Sequence, residues 1–413
     1  MSPPTKSFAL HSDSPVDQGH LAEVQLASYE WFRNQGLREL FSEVSPINDY
    51  AGKDIELHLT DYYFDEPKFD EAHAKLKDLT YEAPLRVKTR LVNHRTNETK
   101  EQEVYFGDFP LMTKRGTFII NGVERVVISQ LIRSAGVYFS ATVYRGRTLF
   151  GAKVIPNRGV WLEFETDPDG SIGVKIDRRR KVAVTSLLRI FSAGSGSLPT
   201  LPTGRQVGQA GVSGGGPTDD ELRALFADVD TGEVRYLDAT LKKDTAKNVD
   251  DSYVEIYKRV RPGDLASLEN MRGLIEGMFM RSDRYDLSPV GRYKFNQRLS
   301  AGTHTHGERL LTRDDLVGIV REIIRLNNDS TSEGDDIDHL GNRRVRPVGE
   351  LFQSRLRIGL ARMRRIVQDR MSTLDVATIT AVQLINARPL ISVVRDFFVS
   401  SQLSQFMDQL NPL

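Results

Sequence analysis

The sequence predicts an α+β protein of more than one domain, with no single doubly wound sheet. Three observations carry that reading. A strand-rich stretch comes first, hairpins mixed with helical segments follow, and an Arg-rich amphipathic helix comes late in the chain. The chain has 413 residues, and at roughly 100–200 residues per domain two to four domains are expected. Hydrophobic residues make up 39% and charged residues 27%, enough apolar material for packed cores.

Residues 1–20 are polar, with Pro and Ser, and read as a disordered arm. From Leu21, LAEVQLASYEWFRNQGLREL carries apolar residues at helical spacing. Residues 55–106 contain IELHLTDYYF, APLRVKTRLVN and EQEVYF, which alternate or are rich in β-formers. Next comes GTFIINGVERVVIS, two β-rich runs around Asn121-Gly122. Asn-Gly readily takes positive φ at both central positions, as a type I′ hairpin requires. A second hairpin is predicted at WLEFET–DPDG–SIGVKID. Trp161, Glu163 and Glu165 would share one face of the first strand and Leu162 and Phe164 the other, while Ile172, Val174 and Ile176 can pack as one apolar face of the returning strand.

Residues 192–217 hold 8 Gly, 4 Ser, 3 Pro and one charge. Such a composition cannot bury enough to offset its ordering entropy, so it reads as a flexible surface insertion within a domain. Helical signals resume at DDELRALFADV, where Asp219 or Asp220 could cap, and continue at LASLENMRGLIEGMFM and DDLVGIVREIIRLNN. Phe352, Leu356, Leu360, Met363, Val367 and Met371 then recur at three- and four-residue steps, the buried stripe of a helix whose outer face is Arg-rich.

Lys+Arg and Asp+Glu both number 56, yet charge is segregated. Residues 1–110 hold 12 basic against 20 acidic groups, residues 111–190 hold 14 against 6, and residues 338–370 hold 9 against 3. That pattern suits a basic face for a polyanion, or else solvated basic surface. The absence of Cys removes thiol chemistry and thiolate metal sites. No GxxxxGK[ST], HExxH or nucleophile elbow is present. No run approaches the roughly 18 apolar residues of a membrane helix. The opening residues have no apolar core of a signal peptide, so a cytoplasmic chain without membrane attachment is expected.

Clustered carboxylates at SEGDDIDH (Glu333, Asp335, Asp336, Asp338) could hold Mg²⁺, but their spacing fits no metal loop and a solvated loop is the competing reading. His304 and His306 could bind metal only weakly, since two histidines do not make a tetrahedral site. The basic runs say more: Arg178, Arg179 and Arg180 end a strand, and Arg343, Arg344 and Arg346 surround a turn. Arg suits phosphate through its planar fork. With Trp161 near one cluster, nucleic acid is favoured over a small anion.

At GDFPLMTKRGTFIINGVERVVISQLIRSAGVYFS (Gly107–Ser140) the chain resembles the β subunit of bacterial DNA-dependent RNA polymerase. The likeness continues through IPNRGVWLEFE, IDRRRK, RYDLSPVGRYKFN, DDIDHLGNRRVRPVGELFQSRLRIGL, INARPL and SSQLSQFMDQLNPL, in family order. Val399 and Leu410 stand where the family usually has Gly and Asn. A full β subunit is far longer, so a fragment is expected.

The resemblance implies a discontinuous protrusion, residues 21–122 and 347–413, with a lobe at 123–346 inserted into it. The last residues would begin the fork and rifamycin region. It implies a component of the polymerase, a nucleotidyltransferase, that binds downstream and non-template DNA and walls the RNA–DNA hybrid. Partners would be DNA, nascent RNA, the β′ and α subunits and sigma factor. Catalytic Mg²⁺ would sit in β′, with no cofactor, metal or catalytic residue in this chain. A non-template base pocket would comprise Arg133, Trp161, Ile337, Asp338 and Arg343, with phosphate contacts from Arg178, Arg179 and Arg180. A rifamycin and RNA wall would comprise Arg125, Ile128, Gln402, Leu403, Gln405, Phe406 and Asp408, with Leu403 and Phe406 packing and the isolated chain not binding the drug. For Asp338 the competing reading is a cap before LGNRR. Competing functions are a stand-alone non-catalytic nucleic-acid-binding module and a non-functional truncated product.

Overall fold

The computed structural model describes residues 22–50, 52, 54–194, 216–299, 307–329, 331–374, 378–408 and 410. The arm at 1–20, most of the Gly-rich segment 192–217, and His304 and His306 lie outside the described residues. The chain forms two compact units, one of Met1–Leu131 with Val345–Leu413 and one of Ile132–Arg344. Helices and antiparallel sheets occur in both, so the fold is α+β.

The first unit opens with α1 (Glu23–Trp31), a π-helical turn at Phe32–Gly36, and α2 (Leu37–Val44). Four strands follow in sheet order: β1 (Ile47–Asn48), β2 (Ile55–Phe64), β3 (Glu82–Asn93) and β4 (Glu98–Pro110), with α3 (Glu71–Leu76) between β2 and β3. Alternate residues Leu85, Val87, Thr89 and Leu91 of β3 are buried, as a sheet with one covered face requires. The predicted Asn-Gly hairpin joins β5 (Phe118–Ile120) to β6 (Val123–Val127), with φ of 49° at Asn121 and 76° at Gly122. A side chain at Gly122 would also collide with Asp78, its Cβ falling 2.7 Å from the Asp78 Cα.

β7 (Gln130–Arg133) leads into the second unit. Five antiparallel strands there run β8 (Gly136–Tyr144), β9 (Arg147–Ile155), β10 (Leu162–Thr166), β11 (Ile172–Ile176) and β12 (Val182–Ala183), each beside its chain neighbour. The β10–β11 register pairs Leu162 with Ile176 and Phe164 with Val174, so all five predicted apolar residues are buried together.

Seven helices follow: α4 (Val184–Gly194), α5 (Asp219–Phe226), α6 (Tyr236–Lys243), α7 (Val249–Val260), α8 (Leu268–Phe279), α9 (Ser288–Leu299) and α10 (Arg313–Asn328). They bury Leu187, Ile256, Ile319 and Ile323 in one core with the sheet. The α5 cap is Thr218, in a capping box with Glu221, and not Asp219 or Asp220. Asp219 instead pairs with Arg189 of α4 at 2.5 Å.

β13 (Arg343–Arg346) pairs with β7 and returns the chain to the first unit. There α11 (Val348–Thr373) buries all six predicted stripe residues, Phe352 to Met371. Its N-terminus lies so close to α1 that a Cβ on Gly349 would stand 2.1 Å from the Ser28 carbonyl oxygen. Next are α12 (Ala381–Leu384), α13 (Arg388–Arg395), a second π-helical turn and β14 (Ser404–Phe406). β14 joins β6, giving the order β14-β6-β5. Residues 123–131 therefore belong with the first unit, whereas the resemblance puts them at the start of the inserted one.

Candidate nucleic-acid interface

Arg133, Ile337, Asp338 and Arg343 are connected through backbone. The Ser134 N–H, next to Arg133, donates to the Asn342 carbonyl at 2.9 Å, and Arg343 follows. The Tyr138 hydroxyl donates to the Ser134 carbonyl at 2.7 Å. Burial pushes that hydroxyl's pKa up, so it stays a neutral donor. The loop before Arg343 is moored at both ends. Asp335 accepts from the Phe139 N–H at 2.8 Å and pairs with Arg298 at 3.2 Å. Lys294 donates to the Gly341 carbonyl at 2.5 Å, and Asn342 Nδ2 donates to the Asp336 carbonyl at 2.6 Å.

Asp338 is not the cap of the turn that follows. His339 is: its Nδ1 accepts from the Gly341 N–H at 3.0 Å. The Asp338 N–H donates to Asp336 Oδ1 at 2.9 Å, while its own carboxylate is exposed and has no partner among the described residues. Ile337 is half-buried. Arg133 and Arg343 likewise carry no ion pair among the described residues.

Trp161 immediately precedes β10. Through Leu162↔Val154 and Val154↔Val137 it is level with Gly136 at the start of β8, two strands and thus about 10 Å away across the sheet. The Asp177 N–H donates to the Trp161 carbonyl at 3.1 Å, which extends the β10–β11 ladder by one pair. The chain then turns through positive φ at Asp177 (50°) and Arg178 (58°). That turn sets the Arg178 guanidinium 5.6 Å from the Trp161 ring centroid. Arg179 and Arg180 are exposed without an ionic partner among the described residues.

Lys181, the next residue, is different. It bonds to Asp167 and Glu165, both at 2.7 Å. Burial works against its charge, but those two hydrogen bonds outweigh the penalty and raise its pKa. The basic run therefore divides into one arginine beside an indole, two exposed arginines and one charged, ion-paired lysine.

In the first unit, β14 brings the C-terminal residues to β6. Phe406 pairs with Arg125 and Gln405 with Val126, and the Ile128 N–H donates to the Leu403 carbonyl at 2.8 Å. Arg125 donates to the Phe398 carbonyl at 3.1 Å and to the Ser404 carbonyl at 3.3 Å, and lies 4.4 Å from the Phe406 centroid. Leu403 packs against the core. Ser404 is buried and Phe406 is 65% exposed. Gln402, Gln405 and Asp408 are exposed, with Gln405 donating to the Gln402 carbonyl at 3.2 Å and Asp408 accepting from the Leu410 N–H at 3.0 Å.

Sequence reasoning missed the residues that hold these segments. Lys294, Arg298 and His339 position the 335–342 loop. Glu124 is also buried; it bonds Lys75 and Thr117 at 2.7 Å and pairs with Arg115 at 3.1 Å. The acidic run Glu333–Asp338 does not converge. Asp335 is engaged by Arg298, Asp336 by its own turn, and no group of three potential ligands is arranged for a metal among the described residues. No helix among them is long and apolar enough to cross a membrane.

By chemistry these segments present projecting arginines and one half-buried indole on an α+β scaffold. The chain belongs to the RNA polymerase β subunit family, whose sequence profile matches residues 20–392. It is similar to the DNA-directed RNA polymerase subunit beta of Chloroflexus aggregans (strain MD-66 / DSM 9485), with 49% identity over 425 aligned positions. That alignment takes in 99% of this chain and 34% of the relative's length.

Proposed function

We propose that this chain is the N-terminal part of a β subunit of a DNA-directed RNA polymerase. Its first unit is the protrusion and its second the lobe. Its partners are DNA, nascent RNA, β′, α and sigma. It binds downstream and non-template DNA, and the β6–β14 pair walls the nascent RNA and the rifamycin pocket with Arg125, Ile128, Gln402, Leu403, Gln405, Phe406 and Asp408. Nucleotidyl transfer belongs to the assembled enzyme, with Mg²⁺ held by β′. The carboxylates of the 333–338 loop do not fit that metal: Asp335 is held by Arg298, Asp336 accepts from the Asp338 N–H, and no three potential ligands converge among the described residues.

The observation that carries the reading is the free carboxylate of Asp338 on a moored loop. An unstacked guanine offers two donors on its Watson–Crick edge, N1–H and N2–H, and two carboxylate oxygens accept both. Other bases lack that pair and leave the carboxylate under-satisfied. Trp161 stacks on a neighbouring base, Ile337 supplies an apolar wall, and Arg133 and Arg343 hold base or backbone. Arg178, Arg179 and Arg180 contribute affinity without base preference.

The test is Asp338→Ala in the full-length enzyme, with complex lifetime measured on templates that vary the non-template base. Selective weakening with guanine is expected. Equal weakening for all four bases would overturn the assignment.

A further inference from the structure

A bulge in β4 gathers polar groups beside α13 in the first unit. The β3–β4 register runs Pro84↔Asp108 and Leu85↔Gly107, then shifts to Arg86↔Tyr105, so Phe106 is the extra residue. On a regular strand Tyr105 and Asp108 would face opposite sides of the sheet. The extra residue puts them on one face, which Glu82 shares through its alternation with Pro84. Gly107, at φ 120°, lets α13 approach: a Cβ there would stand 2.6 Å from Ile391 Cγ1. With Ile120 and Asn121 of the hairpin and Phe398 and Val399 of the π-helical turn Asp396–Ser400, these elements line a cavity of about 200 Å³.

The lining combines apolar and acidic groups. Ile391, Val394, Phe398 and Val399 are the apolar ones, Val399 at the position where the family usually has Gly. Glu82, Asp108 and Tyr105 are the polar ones. The Tyr105 hydroxyl donates to Asp108; burial and that hydrogen bond push its pKa up to about 12, so it stays a neutral donor. Asp108 Oδ1 is buried and has no hydrogen-bond partner among the described residues. Burial and the Asp108 charge push the Glu82 carboxyl above its ordinary pKa, against the opposing charge of Lys68. Arg395 also borders the cavity, but it is exposed and is not among the charges that act on Glu82 or Tyr105.

We propose that this cavity binds a small alkylammonium ion, its head at the Asp108 and Glu82 carboxylates and its stem along Ile391, Val394 and Phe398. A buried acceptor without a donor is costly, and an ammonium N–H supplies the donor in a charge-assisted hydrogen bond, the stronger kind. The volume lies below the roughly 300–1,000 Å³ of pockets for drug-sized ligands and suits a stem like the four-carbon chain of lysine. An anion would meet two carboxylates. A divalent metal fits less well, because Mg²⁺ and Ca²⁺ need about six or more oxygens, and no three potential ligands converge among the described residues. A free amine and the lysine side chain of a partner protein carry the same head and stem, which is the chemistry the cavity reads.

The probes are n-butylammonium and Nα-acetyl-lysine N-methylamide, each titrated into the full chain and followed by saturation-transfer NMR, with 1-butanol as the neutral isostere. Both cations should bind saturably at neutral pH, and the tighter of the two identifies the source of the occupant. Butylammonium should bind at least about tenfold more tightly than 1-butanol. A cation favours the ionised form of Glu82, so affinity should fall as pH drops from neutral toward the ordinary carboxylate range and Glu82 takes up its proton. Glu82→Gln should weaken butylammonium about tenfold and flatten that pH dependence, and Asp108→Asn should weaken it by a similar factor. The butanol comparison and the pH series use the unaltered chain, and so stand even where a variant does not fold. The proposal is overturned by failure of both cations to bind, by equal binding of 1-butanol, by affinity that does not change with pH, or by unchanged affinity in either folded variant.

Discussion

The Arg178 guanidinium lies 5.6 Å from the centroid of the Trp161 ring. It joins two groups of residues that lie apart in the sequence, one assigned to phosphate and one to base. A cation over an indole face at an exposed site contributes about 0.5–1 kcal/mol. The two side chains should therefore act as a pair. In the full-length subunit, the effects of Trp161→Ala and Arg178→Ala on complex lifetime should combine non-additively, by about that amount in a double-mutant cycle. Replacing Arg178, Arg179 and Arg180 together by Ala should flatten the salt dependence of lifetime, by roughly 0.7–0.9 in log–log slope for each phosphate no longer neutralised. An unchanged slope would remove all three from the phosphate surface.

His339 and Asp338 are adjacent but have different tasks. His339→Ala removes the acceptor that holds the Gly341 N–H, and loss of a helix-cap acceptor costs about 0.5–2 kcal/mol. The loop should loosen, weakening complexes with all four non-template bases alike. Asp338→Ala should discriminate between bases. Measuring the two variants side by side separates loop order from base reading.

Glu124 sets an acid limit on the first unit. Burial pushes its carboxyl pKa up, but hydrogen bonds from Lys75 and Thr117 and the charges of Lys75 and Arg115 outweigh burial and hold it below the usual carboxylate range. A depressed folded pKa contributes stability above the unfolded value of about 4.3 and loses it as pH falls through the folded value. Glu124→Gln should cost about 1–3 kcal/mol at neutral pH. It should also reduce the loss of stability on acidification below about pH 4. Urea titrations of both chains across pH check this; parallel pH curves would contradict it.

Asp244 is a buried polar anchor of the second unit. It is fully buried, bonds Thr185 and, at 3.0 Å, Ser186, and pairs at 2.6 Å with Arg189, which is also fully buried. Asp244→Ala leaves a buried guanidinium with Asp219 as its one ionic partner among the described residues. Breaking a buried pair from one side costs about 3–5 kcal/mol. Chemical denaturation of the full chain should show that loss, and a change below about 1 kcal/mol would mean that water reaches Arg189 when Asp244 is gone.

Local patterns were legible directly. The Asn121-Gly122 turn, the inward faces of β10 and β11, and the six-residue stripe of α11 each depend on neighbours within one turn, one hairpin or one helical repeat. Backbone sterics and periodic burial decide such features, and both are written in the local order of residues. The succession of whole segments in family order likewise carried the membership that the sequence profile shows.

Pairing across distance was not legible. Asp219 is a cap candidate by its position and pairs with Arg189 instead, while Thr218 caps. Asp338 is another, and His339 caps. Within one run of four cations, Arg178 lies over an indole while Lys181 is bound by Glu165 and Asp167. In each case several side chains near in sequence have the same chemistry, and the outcome depends on which one a distant strand or helix approaches within about 3 Å for a hydrogen bond. Composition and spacing limit the candidates. The choice among them is made by burial and by the crossing of segments far apart in the chain, which only the folded structure brings together.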